Sequence, residues 1–163
     1  KLEQRHSLDH QVVLNLADCV QRVVDAASVR LQQRQIQLRL SLDAFVMVKG
    51  EPDLLDMAIN NLLDNAMAYS PRGGVIEIQL LKEVDQAMLT IRDQGPGVPD
   101  YAMARLGERF YSTARPAQEG EAPRKGSGLG LAIVRQVMSL HGGSLTLTQA
   151  QPGLRASLHC PLV

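Results

Sequence analysis

The alternation of apolar and polar residues predicts a helix followed by two strands in the first third of the chain. From Asp9 to about Gln35 the apolar residues recur at helical spacing. The residues of its predicted buried face are Val13, Leu16, Val20, Val23 and Val24. "QIQLRLSLD" then alternates strictly, which predicts a strand, and "FVMV" predicts a second one. The side chains expected on one side of the first strand are Ile36, Leu38, Leu40 and Leu42.

A second helix is predicted from "EPDLLDMA", with Pro52 near its first position, and it ends at "SPRGG" because proline cannot continue it. "VIEIQLL" and "AMLTIRD" predict a hairpin, "GLGLAIVRQVMSLHGG" a third helix, and "SLTLTQ" and "RASLHC" a last strand pair. In that helix Leu129, Ile133, Val137 and Leu140 are in register. Since helices and strands do not alternate strictly, we predict an α+β two-layer sandwich. Its sheet would be mixed, mostly antiparallel and of about five strands, with about three helices on one face.

The second helix carries an unusual pair of asparagines. Asn61 and Asn65 stand one turn apart and point the same way, whereas Leu55, Ile59 and Leu62 form an apolar stripe about 80–120° around the axis. Helix interiors disfavour asparagine because its amide competes for backbone hydrogen bonds. Amide oxygens suit Mg²⁺, so the pair indicates either a ligand site or a buried network of amides.

Two glycine-containing stretches are further candidates for the same pocket. "DQGPGVP" follows a predicted strand, where a carboxylate could accept a hydrogen bond from an amino group; an ordinary turn with a solvated Asp93 is the alternative. "GSGLGLAIV" places three glycines directly before a helix. The backbone N–H groups and the helix dipole there favour an anion, and a flexible linker is the alternative.

Composition narrows the classes of protein. The chain has 163 residues, 45% hydrophobic, which suits about one domain. Seventeen basic residues balance seventeen acidic ones, so we expect no nucleic-acid partner. No apolar run is long enough to cross a bilayer, and we expect this piece to be soluble. Cys19 and Cys160 lack metal-ligand spacing, which fits a reducing, cytoplasmic setting.

The order of motifs along the chain resembles that of the ATP-binding catalytic domain of bacterial sensor histidine kinases. The motifs are an asparagine helix, Asp-x-Gly-x-Gly, "ERFYS", a long polar loop and Gly-x-Gly-x-Gly. In that family these are the N, G1, F and G2 boxes of the Bergerat (GHKL) fold. The resemblance spans roughly Asp9 to Pro161. It implies a catalytic domain over residues 9–163 with an ATP lid at about 107–126. Residues 1–8 would end a linker from a dimerisation and phosphoacceptor domain.

The resemblance also implies the role of each site residue. Asn65 matches the Mg²⁺ ligand, Asn61 its partner near the phosphates, and Tyr69 the residue beside the nucleotide. Asp93 matches the carboxylate that accepts the adenine amino group, and a guanine would instead present an acceptor oxygen to it. Phe110 matches a residue that packs at the base of the lid. The other matched positions lie beside the nucleotide or at its phosphates: Gly95, Gly97, Arg109, Gly126, Ser127, Gly128, Leu129 and Gly130.

One position departs from the family pattern, because Ala68 stands where a phosphate-contacting lysine or arginine is frequent. Residues 105–125 hold five basic residues against three acidic ones. We hypothesise that Arg124 or Lys125 supplies the missing charge; a solvated charge cluster is the alternative.

The resemblance implies phosphoryl transfer in preference to ATP hydrolysis. Related hydrolysing ATPases carry a glutamate four residues before the metal asparagine, and here that position is Asn61, which cannot take up a proton. None of the four histidines has the surroundings of the family's phosphoacceptor, and we interpret all four as structural. These histidines are His6, His10, His141 and His159. The acceptor histidine is therefore expected upstream of residue 1, and no catalytic residue is predicted within this chain.

The resemblance implies that the domain binds Mg-ATP and donates its γ-phosphate in two-component signal transduction. The implied partners are the protein's own dimerisation and histidine-phosphotransfer domain and a response regulator. The implied location is a cytoplasmic domain of an inner-membrane sensor that forms a membrane-anchored homodimer. Two alternatives remain: a regulatory module that binds ATP without transferring phosphate, and an anti-sigma-type protein-serine kinase of the same fold.

Overall fold

A computed structural model describes residues 7–103, 105 and 130–163, together with the backbone of 114–115 and 124–125. The helices are α1 (Leu16–Ala26), α2 (Ser28–Gln33), α3 (Pro52–Tyr69), α4 (Asp100–Met103) and α5 (Gly130–Leu140). The strands are β1 (Val12–Asn15), β2 (Gln37–Leu42), β3 (Met47–Gly50), β4 (Val75–Lys82), β5 (Gln86–Arg92), β6 (Ala114–Arg115), β7 (Arg124–Lys125), β8 (Ser144–Gln149) and β9 (Leu154–Pro161).

The main sheet has five strands in the order β2-β4-β5-β9-β8. Only the β2–β4 pair is parallel, and the other three pairs are antiparallel. Strands β1 and β3 form a separate antiparallel ribbon, and β6 pairs with β7. The predicted α+β sandwich with a mixed, mostly antiparallel five-stranded sheet is confirmed, although the "FVMV" strand lies in the ribbon and not in the main sheet.

The core lies between one face of the sheet and the three long helices α1, α3 and α5. Alternate residues of the central strands point into it, including Ile76, Ile78 and Leu89, all at most 1% exposed. The opposite face is polar, with Thr90 and Ser157 hydrogen-bonded across neighbouring strands (Oγ1 to Oγ, 3.1 Å). In the described part of the chain no helix has the length and apolarity needed to span a membrane.

Helix α3 forms as the pattern predicts. Pro52 stands in the first turn, where its missing N–H has no helical partner to lose. The apolar stripe is almost completely buried: Leu55 and Ile59 are each 1% exposed and Leu62 is 2% exposed. Burying one such side chain stabilises the fold by about 1.5–3 kcal/mol, so this stripe anchors α3 against the sheet.

The prediction of one helix from Asp9 to Gln35 is wrong at its beginning. Val12–Asn15 is a strand that pairs with β3, and Val13 is 56% exposed instead of buried. Asn15 ends the strand, because its Oδ1 accepts the N–H of Ala17 (3.1 Å) and so caps α1. The helix also breaks at Ala27, between α1 and α2.

Two other predicted apolar faces are only partly buried. Ile36 is buried but lies just before β2, and Leu40 is 40% exposed because β2 is an edge strand. In α5 the fully buried residues are Val134, Val137 and Met138, whereas Ile133 and Leu140 of the predicted register are only half-buried. Leu129 lies outside the described residues.

Candidate functional site

The two asparagines of α3 point toward the beginning of α5. A Cβ atom placed on Gly130 would lie 3.7 Å from Asn61 Oδ1 and 4.0 Å from Asn65 Oδ1. Both side chains are half-buried, on the side of α3 that the apolar stripe leaves free. The structure therefore brings two amide oxygens to the first residue of a helix, where N–H groups and the positive end of the dipole are available.

A buried carboxylate follows β5. Asp93 is 3% exposed, and its Oδ1 accepts the N–H of Gly95 (2.9 Å) and, more weakly, that of Leu154 (3.4 Å). Among the residues that the structure describes, Oδ2 has no hydrogen-bond partner. Burial raises the pKa of Asp93 above its ordinary value, and the two N–H groups oppose that rise. One oxygen is thus fixed by the backbone while the other remains an acceptor.

Gly95 joins this carboxylate to the end of α3. A Cβ on Gly95 would overlap the carbonyl oxygen of Tyr69 and would lie 3.2 Å from Asp93 Oδ1. Only glycine allows the strand end and the helix end to approach so closely. Since Tyr69 follows Asn65 by one helical turn, the asparagine pair and Asp93 flank the same end of α3.

The loop after Asp93 is held by β8. The side-chain amide of Gln149 accepts the N–H of Val98 through Oε1 (3.3 Å) and donates to the Val98 carbonyl through Nε2. Gly97 has a positive φ of 79°, and a Cβ there would lie 2.8 Å from Gln149 Oε1. Gln149 therefore fixes the backbone of the predicted glycine loop, a role that the sequence did not indicate.

Gly153 is a second residue that the sequence analysis missed. Its φ is 94°, and a Cβ on it would overlap the backbone of Asp93 and lie 2.9 Å from Asp93 Oδ1. The sequence shows only a Pro152-Gly153 turn between the last two strands. Nothing local reveals that this turn packs against Asp93, because β9 and β5 become neighbours only in the folded sheet.

Several predicted site residues cannot be placed. Lys125 is described only by its backbone, in β7. The predicted site residues outside the described part of the chain are Arg109, Phe110, Gly126, Ser127, Gly128 and Leu129. Ala68, where the family pattern favours a cation, is 8% exposed. The structure thus brings together six predicted residues: Asn61, Asn65, Tyr69, Asp93, Gly95 and Gly130. The seventh described one, Gly97, lies against Gln149 and Gly153.

The donor set suits a magnesium ion that is held mainly by phosphate and water. Asn61 and Asn65 offer hard, neutral oxygens, and the missing side chain of Gly130 leaves space beside them. Among the described residues no three His, Cys, Asp or Glu side chains cluster as a protein-only metal cage. These amides fit a metal that arrives with a nucleotide.

The fold and this site are those of an ATP-binding domain of the Bergerat class. Residues 50–163 match the family described as histidine kinase-, DNA gyrase B- and HSP90-like ATPases, and the chain belongs to that family. A solved structure of a sensor histidine kinase, described next, places the chain within that branch of the family.

Two of the relatives are sensor proteins of Escherichia coli, and a third is a sensor histidine kinase of known structure. The sensor protein CreC of Escherichia coli (strain K12) is 41% identical over 158 residues, which cover 94% of this chain and 31% of CreC. The sensor protein QseC of the same strain is 38% identical over 154 residues, covering 94% of this chain and 32% of QseC. The chain thus spans about a third of the length of these relatives. The solved structure of the mycobacterial sensor histidine kinase MprB has 32% identity and a TM-score of 0.78, covering 94% of this chain and 98% of that one.

We predict that Asp93→Asn weakens Mg-ATP binding about 10- to 100-fold without destabilising the apo fold. The asparagine would present an N–H donor to the adenine amino group.

The same carboxylate makes the stability of the fold depend on pH. Because the folded-state pKa of Asp93 is raised, its ionised form destabilises the fold at neutral pH. This penalty disappears as the pH falls toward the ordinary value of 3.8. Isothermal titration and thermal melts would measure both effects.

Asp85→Asn is the matched control, since it makes the same chemical change at an exposed turn residue between β4 and β5. It should leave both the affinity and the melting temperature unchanged. A mutant with Asp93→Asn that binds Mg-ATP as tightly as the wild type would contradict the role of this carboxylate.

Proposed function

We propose that this domain binds Mg-ATP and donates the γ-phosphate to a histidine that lies outside the chain. The observation that carries the proposal is the placement of three different groups around the C-terminal half of α3. They are an open carboxylate oxygen on Asp93, the amide oxygens of Asn61 and Asn65, and the first residue of α5.

Asp93 would recognise the adenine. Oδ2, which has no partner among the described residues, can accept a hydrogen bond from an amino group, whereas the N–H groups of Gly95 and Leu154 hold the carboxylate in place. An acceptor at this position repels the carbonyl oxygen of guanine, so the pocket should select adenine. Tyr69 stands next to Gly95 and would pack beside the base.

Asn65 would bind the magnesium, and Asn61 would lie near the phosphates. When bound, the metal would neutralise charge on the transferring phosphate. The chain's own contribution is to orient the triphosphate between the amides and the beginning of α5, whose N–H groups favour an anion. The predicted phosphate-contacting residues Lys125, Gly126, Ser127, Gly128 and Leu129 would complete this binding site, with Arg109 and Phe110 nearby.

The site favours transfer over hydrolysis because Asn61, an amide, stands four residues before the metal asparagine Asn65, where the related hydrolysing ATPases carry a glutamate. Asn61 has no proton-accepting group at neutral pH, so it cannot activate a water molecule. Orientation and charge neutralisation are sufficient for transfer when another group supplies the nucleophile. His141 is not a candidate nucleophile, because its Nε2 accepts the N–H of Glu51 and its Nδ1 lies 2.7 Å from the Val137 carbonyl oxygen.

The remaining features of the proposal concern the whole protein. Residues 9–163 would form the catalytic domain, residues 1–8 the end of a linker, and about 107–126 the lid over the nucleotide. A dimerisation and phosphoacceptor domain would receive the phosphate and pass it to a response regulator. The parent would be a membrane-anchored homodimer, with this domain on the cytoplasmic side of the inner membrane.

We predict that Asn65→Ala abolishes transfer of labelled γ-phosphate from Mg-ATP to the acceptor domain, because the metal loses its protein ligand. Asn60→Ala is the matched control: Asn60 lies on the same helix but contacts Asp64 (3.4 Å) on another face. Autoradiography after incubation with the acceptor domain gives the readout. The product should lose its label in acid and keep it in alkali, as phosphohistidine does.

Other outcomes would identify the alternatives. An acid-stable label would indicate the serine kinase, and tight Mg-ATP binding without any labelled product would indicate the regulatory module. If Mg-GTP binds as well as Mg-ATP, the assigned role of Asp93 is wrong.

We predict that the double mutant with Arg124→Glu and Lys125→Glu binds Mg-ATP about tenfold more weakly, since two charges that could replace the cation missing at Ala68 would be reversed. Arg39→Glu with Lys49→Glu is the control, because it makes the same charge change at exposed positions of β2 and β3. Unchanged affinity of the first double mutant in a fluorescence titration would contradict the compensation hypothesis.

A further inference from the structure

Glu51 occupies the N-cap position of α3 but does not cap the helix. A short polar side chain at this position, such as that of aspartate, ordinarily accepts N–H groups of the first helical turn. The Glu51 side chain makes no such bond. Its Oε1 instead accepts the N–H of Asp9 (2.7 Å) and the N–H of His10 (2.9 Å), which lie 42 and 41 residues earlier in the chain.

These two bonds are made by a buried group. Glu51 is only 8% exposed, and a carboxylate removed from water is costly unless hydrogen bonds compensate it. Charge-assisted bonds to backbone N–H groups are among the stronger hydrogen bonds in proteins. The segment that enters the domain is therefore attached at a specific point, directly before β1.

The backbone of Glu51 is attached to the third helix of the core. Its N–H donates to Nε2 of the buried His141 (3.1 Å), and Nδ1 of that ring bonds the carbonyl oxygen of Val137 in α5 (2.7 Å). The imidazole fits here because residue 50 is glycine; a Cβ at this position would overlap the ring. The start of α3 and the end of α5 are thus joined at one point.

These two helices frame the candidate nucleotide site at their other ends. Asn65 lies about 20 Å along α3 from Glu51, at 1.5 Å per residue, and α5 begins at Gly130 beside the asparagine oxygens. Helices packed in a close-packed core transmit displacement as rigid elements. Glu51 therefore links the orientation of residues 9–10 to the orientation of the candidate nucleotide site.

We propose that Glu51 is a positioning residue: it holds residues 9–10 at a set angle to the nucleotide site and so directs the γ-phosphate toward an acceptor carried by the preceding part of the same polypeptide. This inference rests on the proposed function. Without the two hydrogen bonds, the entering segment would sample more orientations, and the phosphate would meet the acceptor less often.

The test compares Glu51→Ala with Glu51→Gln, and Glu83→Ala serves as control because it removes an exposed glutamate from the turn after β4. Glutamine keeps a carbonyl oxygen with two lone pairs and should restore the bonds that alanine removes. Amide hydrogen exchange at Asp9 and His10 reports the attachment directly. We expect it to accelerate at least about tenfold in the alanine mutant and to remain near the wild-type rate in the glutamine and control mutants.

The functional readout is phosphoryl transfer in the protein that carries this domain together with its acceptor. In the alanine mutant we expect kcat for transfer within one polypeptide to fall at least about fivefold, while KM for ATP and transfer to a separately supplied acceptor domain stay within twofold. A merely structural defect would change all three quantities. Recovery of kcat in the glutamine mutant would support the positioning role.

Two results would overturn the inference. One is unchanged exchange at Asp9 and His10 in the alanine mutant; the other is accelerated exchange with an unchanged kcat. Failure of the proposed function is distinguishable, because the wild-type protein would then transfer no phosphate, whereas the exchange measurement would still show whether Glu51 holds the segment.

Discussion

The burial of one face of α3 is the constraint on which the rest of the site depends. With Leu55, Ile59 and Leu62 enclosed between the sheet and the other helices, α3 can neither rotate nor slide without exposing apolar surface. Each residue advances the helix by about 100°, so fixing this face also fixes the direction of the asparagines. The same packing sets where α3 begins, at Glu51, and where it ends, beside Gly95.

The site combines groups that have different effects on stability. The asparagines are neutral, and their amide oxygens lie beside the first residue of α5. Asp93 differs, because its buried carboxylate has a raised pKa and its ionised form destabilises the folded protein. Gly95 and Leu154 reduce that penalty by donating N–H groups to one oxygen. Leaving the other oxygen open is a cost in stability that a ligand's amino group could offset.

Strongly periodic stretches were assigned to the correct type of element, whereas the ambiguous apolar run near the beginning of the chain was not. The 18 residues of α3 and the β4–β5 hairpin carry enough periodic positions to distinguish a helix from a strand. Val12, Val13 and Leu14 are consecutive apolar residues, which fit either element, and they became a strand because β3 lies beside them. Within the site, the sequence indicated the chemical groups but missed Gln149 and Gly153, because their contacts come from strands distant along the chain.

By itself, the sequence determined the element types with strong periodicity, the direction shared by Asn61 and Asn65, and the glycine positions where another group must approach closely. These depend on helix geometry and on residue size, which are local properties. Only the tertiary structure decided that Asp93 is buried, that Gly153 packs against it, and that Glu51 binds the entering segment instead of capping its own helix. The physical reason is that burial and long-range hydrogen bonds depend on which elements become neighbours, and no local pattern encodes that.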